Sequence, residues 1–254
     1  MPRRFLLYAA LLSTSLTALP AQQAAVNPAP PSRPVTLSAV SVTPVPGAPF
    51  SATAVIENER TQRDGSVVVR RTIALIARDS RGRVHNERRR LMPESFHGSP
   101  PLMLIHLFDP QTRFRTLCDP VTHIARRQLL PEEPKVAGFP NPWVSVDDLG
   151  TTTLNGLQAK GTRRTFMVSA AASGTGEPVE VVDENWYSED LHINLLIRHS
   201  DPRSGVQTVG LSAIKREEPP ASIFEVPQGY TIVTVNPGPA PASAAGPASA
   251  AVSH

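Results

Sequence analysis

Seven histidines, one cysteine and a cluster of acids are the side chains here that could do acid–base, nucleophilic or metal chemistry. The histidines are scattered: His85, His97, His106, His123, His192, His199 and His254. His192 and His199 fall at opposite ends of one expected strand, too far apart to share an ion. A zinc site needs three or four converging ligands. Cys118 follows Phe114-x-x-Leu117 at a strand end and reads as a small buried hydrophobe. As a nucleophile it would need a nearby base, and His123 is the one candidate. Glu177, Glu180, Asp183 and Glu184 bracket a strand. Paired carboxylates can hydrolyse a glycan when their separation is set, and no spacing sets it here. There is no Gly-x-Ser-x-Gly elbow, His-Glu-x-x-His, Cys-x-x-Cys or glycine-rich phosphate loop. The residues therefore suggest no cofactor, no metal and no catalytic set.

Aromatics are few, at 5%. Trp143 lies in a proline-rich stretch, and Trp186-Tyr187 ends a strand, where neighbours point to opposite faces. Trp143, Trp186, Leu104, Leu195 and Ile197 are the candidate lining of an apolar ligand site.

The chain begins like a secretory signal. Arg3 and Arg4 form a positive n-region, Phe5 to Leu12 an apolar run, and Leu19-Pro20-Ala21 a cleavage site. The run is too short to span a bilayer, and no later segment reaches ~20 apolar residues. No cysteine follows it to carry a lipid. Residues 1–21 are thus expected to direct export to the periplasm or beyond, with no transmembrane segment in the mature chain. Lys plus Arg number 25 against 22 acids, and losing Arg3 and Arg4 leaves 23 against 22. That balance lacks the excess that phosphate backbones attract, so nucleic acid is not an expected partner. Arginine runs such as Arg70-Arg71 and Arg88-Arg89-Arg90 read as charges on strand faces or strand ends, which also discourage edge pairing, the alternative being a basic rim that meets anionic lipid headgroups.

Residues 22–41 and 236–254 are rich in Pro and Ala and are expected to be disordered, since neither can bury enough apolar surface to order itself. Residues 42–235 form one expected domain. Within it, short strands alternate with turns. Asp64-Gly65 and Asn155-Gly156 are hairpin signals. Asp109-Pro110-Gln111-Thr112 and Asp119-Pro120-Val121-Thr122 are two like turns ten residues apart, which mark a tight meander. Leu102–Phe108 is almost wholly apolar, so both its faces should be covered. Residues 131–146 read as a loop, and 223–226 as a short strand. Short helices fit 91–98, 130–148 or 218–224. The expected fold is all-β with minor α: one strongly curved antiparallel sheet, a half-open barrel with covering helices or loops.

From Leu149 onward a longer pattern is present. It runs Asn155-Gly156-Leu157-Gln158-Ala159-Lys160-Gly161, then Glu184-x-Trp186-Tyr187-Ser188, then Ser200-Asp201-Pro202-Arg203, then Phe224-x-Val226-Pro227-x-Gly229-Tyr230. It resembles an uncharacterised family of exported bacterial β-rich proteins. The ending is also distantly similar to the periplasmic lipoprotein-carrier and sigma-factor-regulator superfamily. That resemblance implies an unclosed barrel whose concave apolar face holds acyl chains, and binders rather than enzymes. The leading expectation is a non-catalytic protein that binds a hydrophobic or lipidic ligand, such as a lipid or a lipoprotein acyl chain. The alternative is an envelope module that docks a protein partner through a sheet edge or its tail. A hydrolase is the third.

Overall fold

The computed structural model describes residues 40–132 and 144–235. Thirteen strands form one sheet. They are β1 (Phe50–Thr61), β2 (Val67–Arg78), β3 (Val84–Arg89), β4 (Met92–Pro93), β5 (Leu102–Asp109), β6 (Phe114–Asp119) and β7 (Ile124–Leu129). The second half of the chain adds β8 (Val144–Leu154), β9 (Leu157–Val168), β10 (Val179–Ser188), β11 (Ile193–Asp201), β12 (Gly205–Lys215) and β13 (Thr231–Val235). The only helical pieces among the described residues are α1 (Ala170–Ser173) and a 3₁₀ turn, Ala221–Phe224. The signal, most of the linker, the 236–254 tail and Trp143 lie outside the described residues.

The spatial order is β13-β7-β6-β5-β3-β2-β1-β12-β11-β10-β9-β8, with β4 beside β2. β8 and β13 are the two ends and do not pair, so the sheet is curved and unclosed. Every pairing is antiparallel except β13 on β7, which is parallel. The exception follows from connectivity: the strap of residues 216–230 leaves β12 mid-sheet and must cross to the far edge before pairing. Residues 223–226, expected as a strand, instead form the end of the 3₁₀ turn and the chain just after it on this strap. Prolines 219, 220 and 227 withhold the N–H groups that a ladder needs. β8 begins at Val144, inside the stretch read as a loop.

Local chemistry sets the hairpins. Asp109 Oδ1 accepts the Gln111 N–H at 2.9 Å, and Asp119 Oδ1 accepts that of Val121 at 2.8 Å. After each turn the chain enters the left-handed region at Arg113 (φ 58°) and His123 (φ 52°) before the next strand starts.

Register determines which side chains share a face. Ala52 lies opposite Ile76, and Ala54 opposite both Ala74 and Leu211. This face carries the main core of Phe50, Ala52, Ala54, Ile56, Ile76, Leu195, Val209 and Leu211. The N-terminal segment covers it through Val40 and Val42, so it is termed the N face. Arg78 fastens that cover. Its guanidinium donates to Thr43 O at 2.7 Å, to Ala48 O at 2.6 and 2.9 Å, and to Leu191 O at 2.7 Å.

A second core lies on the opposite face. Ile105, Leu107, Cys118 and Ala125 are buried there, with Val226 and Tyr230 of the strap packed against them. This is the C face. The near-continuous apolar run of β5 now has its reason. Ile105 and Leu107 feed the C-face core, while Leu104 and Phe108 are half-buried on the N face. Each face is covered by a different end of the domain.

Candidate functional site

The strap does not lie flat on the sheet. Between them is a half-open cavity of about 560 Å³. Its apolar walls are Leu107 and Phe114 from the sheet, Phe224 and Val226 from the strap, and Ile232 from β13. Two guanidinium groups flank it. Arg83 lies over the Phe224 ring at 5.1 Å, and its Nε donates to Asp79 Oδ2 at 2.6 Å. Arg127 lies over the Phe114 ring at 5.7 Å. Its Nε is buried and has no hydrogen-bond partner. The pocket thus combines an aromatic cleft with one donor still to be satisfied, the pattern of sites that orient an apolar ligand by a single polar group.

His85 helps hold the strap. It is buried on β3, and its Nδ1 lies 2.6 Å from Ile223 O, where it donates as the Nδ1–H tautomer. Burial pushes its pKa below the ordinary value, more than the Ile223 hydrogen bond and the Glu87 charge raise it. The imidazole is therefore held neutral. The unfolded chain binds a proton near pH ~6.5, so in this window U carries more protons than N. Stability is fully present above that pH and declines as pH falls through it, by up to ~1.4 kcal/mol per pH unit for one group. Urea midpoints should drop between pH 7.5 and 5, and His85→Gln should remove part of the slope. Equal slopes for the variant and the parent would show that His85 is not held neutral.

Of the residues singled out from the sequence, Leu195, Ile197 and Trp186 come together at the main core, and Leu104 lies apart from them. Leu195 is 1% exposed inside the main core, and Ile197 and Trp186 pack at that core's margin. The Trp186 ring lies on Gly161, where an added Cβ would meet Cζ3 at 2.7 Å. Leu104 is far along the sheet, in a groove on the N face. Trp143 lies outside the described residues. Sequence reading missed Phe114, Phe224, Arg127 and Ile232. The signal available was the high-value Phe among few aromatics, two of them flanking turn or proline segments.

The acids separate as well. Asp183 faces His199, with Nδ1 to Oδ1 at 2.6 Å, while Glu184 is on the opposite face, paired with Arg163 at 2.8 Å. The cross-strand neighbours of His199 are Asp183 and Gln207, neither of them a hydroxyl or thiol. Cys118 is fully buried, and burial raises its thiol pKa. Among the described residues no three His, Cys, Asp or Glu gather as a metal site. No helix among them is long and apolar enough to cross a membrane.

These features define an unclosed β-sheet protein with a strap-covered apolar pocket. No family model matches the chain, and no curated protein matches it in sequence. Its fold is similar to several solved structures at low identity. One is a conserved protein from Thermus thermophilus, at 13% identity and TM-score 0.40, covering 74% of this chain and 91% of that one. Another is Pseudomonas aeruginosa MucB in its complex with MucA, at 13% identity and TM-score 0.38, covering 74% of this chain and 58% of that one. A third is an outer-membrane lipoprotein-sorting protein domain from Vibrio parahaemolyticus, at 8% identity and TM-score 0.27, covering 69% and 88%. The likeness is one of fold.

Proposed function

We propose that residues 1–21 export the protein and that residues 42–235 bind an amphiphilic ligand without changing it chemically. The carrying observation is the strap pocket: aromatic walls, about 560 Å³, and the unpartnered Arg127 Nε. Small-ligand sites span roughly 300–1,000 Å³. Burying eight methylenes there contributes roughly 6 kcal/mol before ordering costs. The apolar chain lies along Phe114 and Phe224, and a carboxylate or ester oxygen accepts from Arg127.

The test is titration of a fluorescent fatty-acid probe into the mature chain, residues 22–254. Saturable one-to-one uptake is expected. Ile232 is 47% exposed, so Ile232→Asp leaves the fold intact while placing a charge at the mouth. That variant should bind at least tenfold more weakly. No saturable uptake by the parent protein would overturn the reading. Among the described residues the outer edge of β8 is unpaired, with Val146 at 62% exposure, and this favours the second reading, an envelope module that adds a partner strand.

A further inference from the structure

Opposite the strap pocket, through the same strands, the N face carries a separate groove of about 240 Å³. Its lining is Asn86 and Arg88 of β3, Leu104 and His106 of β5, and Arg115 and Leu117 of β6. The register brings them together: Asn86 is opposite His106, Arg88 opposite Leu104, and Leu117 opposite His106. No acid lines this groove. Glu87 points to the other face and pairs with Arg89 at 2.7 Å. Arg115 donates only to the neutral Gln128 Oε1, at 2.7 Å, and Arg88 has no ion pair among the described residues.

Two residues that line this groove each carry a buried polar atom without a partner. Asn86 is 94% buried by its 6% exposure, and its Nδ2 donates to Val40 O. That bond fixes the amide orientation and leaves Oδ1 as an acceptor with nothing to accept. His106 Nε2 is likewise buried and unpartnered. Burial, then the Arg115 and Arg88 charges, lower the His106 pKa, so its ring is neutral and offers no third cation. Orphaned buried polar atoms in a native fold call for a bound group or water.

The chemistry of an occupant follows from these groups. Two guanidinium forks without a carboxylate select an anion. One carboxylate presents one bidentate edge, whereas a phosphate has oxygens for both forks. The unfilled Asn86 acceptor requires a donor on the same ligand, a hydroxyl at short reach from the phosphate. Leu104 and Leu117 suit the carbons between them. We propose that the groove binds a hydroxylated phosphate ester, with phosphoglycerol the smallest unit that meets all three demands. It stands independently of the strap pocket, which lies on the opposite face.

The experiment is isothermal titration of the mature chain with sn-glycerol 3-phosphate, inorganic phosphate and glycerol at low salt. Flotation with phosphatidylglycerol vesicles, and with phosphatidylserine vesicles of equal charge, forms the second arm. The expected result is binding of glycerol 3-phosphate at least tenfold tighter than inorganic phosphate. If the natural source is a lipid, preferential flotation with phosphatidylglycerol is expected instead, with or without soluble binding. Arg88 is exposed, so Arg88→Gln should fold as the parent does, and it should weaken either signal about tenfold. Fatty-acid probe uptake should be unchanged in that variant. Absence of both signals leaves water as the occupant and overturns the proposal. So does inorganic phosphate binding as tightly as the ester, or an Arg88→Gln, Arg115→Gln double variant that binds normally.

Discussion

Gly205→Ala is expected to destabilise the protein by about 3 kcal/mol or more, the upper range for forced overpacking. Gly205 sits at φ 98°, beyond the left-handed region open to Ala. A Cβ there would lie 2.0 Å from Glu59 O and 3.0 Å from the Arg60 Cα. Both are backbone of β1, which cannot rotate aside. The location amplifies the effect. Among the described strands, β1–β12 is the seam that joins β1–β7 to β8–β12, so pushing these strands apart loosens both halves. Gly210→Ala is the control. It lies on the same seam opposite Val55, and its Cβ would meet nothing nearer than Leu196 Cδ1 at 3.7 Å. That change should fall within about 0.5 kcal/mol of the parent. Urea unfolding of the two variants decides the matter: equal midpoints would mean that the seam can yield.

Arg78→Met comes next, with an expected loss of about 3 kcal/mol. Arg78 is fully buried, and among the described residues no carboxylate pairs with it. Its charge is spread over three carbonyls, with the Phe50 ring 5.1 Å from the guanidinium carbon. Two effects compete. Removing the guanidinium also removes its desolvation penalty, which is modest for a weakly hydrated cation. It leaves the Thr43, Ala48 and Leu191 carbonyls without that donor, and each buried orphan costs roughly 1–3 kcal/mol. The second effect wins, because the Ala48 and Leu191 carbonyls depend on this one side chain, while Thr43 O keeps the Val45 N–H at 2.9 Å. For a domain of this size the melting temperature should fall by roughly 10 °C. Arg78→Lys should recover less than half of the loss, since an ammonium lacks the planar fork. A melting temperature within 2 °C of the parent would show that the N-terminal cover is held by Val40 and Val42 alone.

Much of the fold was legible because it is local. An Asp that accepts an amide two residues on makes a turn wherever it occurs, and Asp109 and Asp119 do so as their sequence indicates. Asn155-Gly156 joins β8 to β9 as a hairpin because both residues take positive φ, 50° and 77°. The candidate site was legible only in kind. An apolar pocket was expected, yet Leu195 turned out to be core, and Phe114 and Phe224 form the pocket instead. The apolar alternation of β11 marks a covered face but not what covers it. Leu195 meets other side chains, whereas Phe114 meets a strap more than a hundred residues away.

The amino-acid order by itself determined the β-rich class, the strand lengths and most hairpins, because a two-residue side-chain period and turn chemistry act over a few residues. The tertiary structure decided which face is which. Ile105 and Leu104 are chemically alike neighbours, yet one enters the C-face core and the other floors a groove beside two arginines. The difference comes from residues 40–49 crossing one face and residues 216–230 the other. Those crossings depend on the β1–β12 pairing, made between segments about 150 residues apart, and no local pattern encodes a contact of that range.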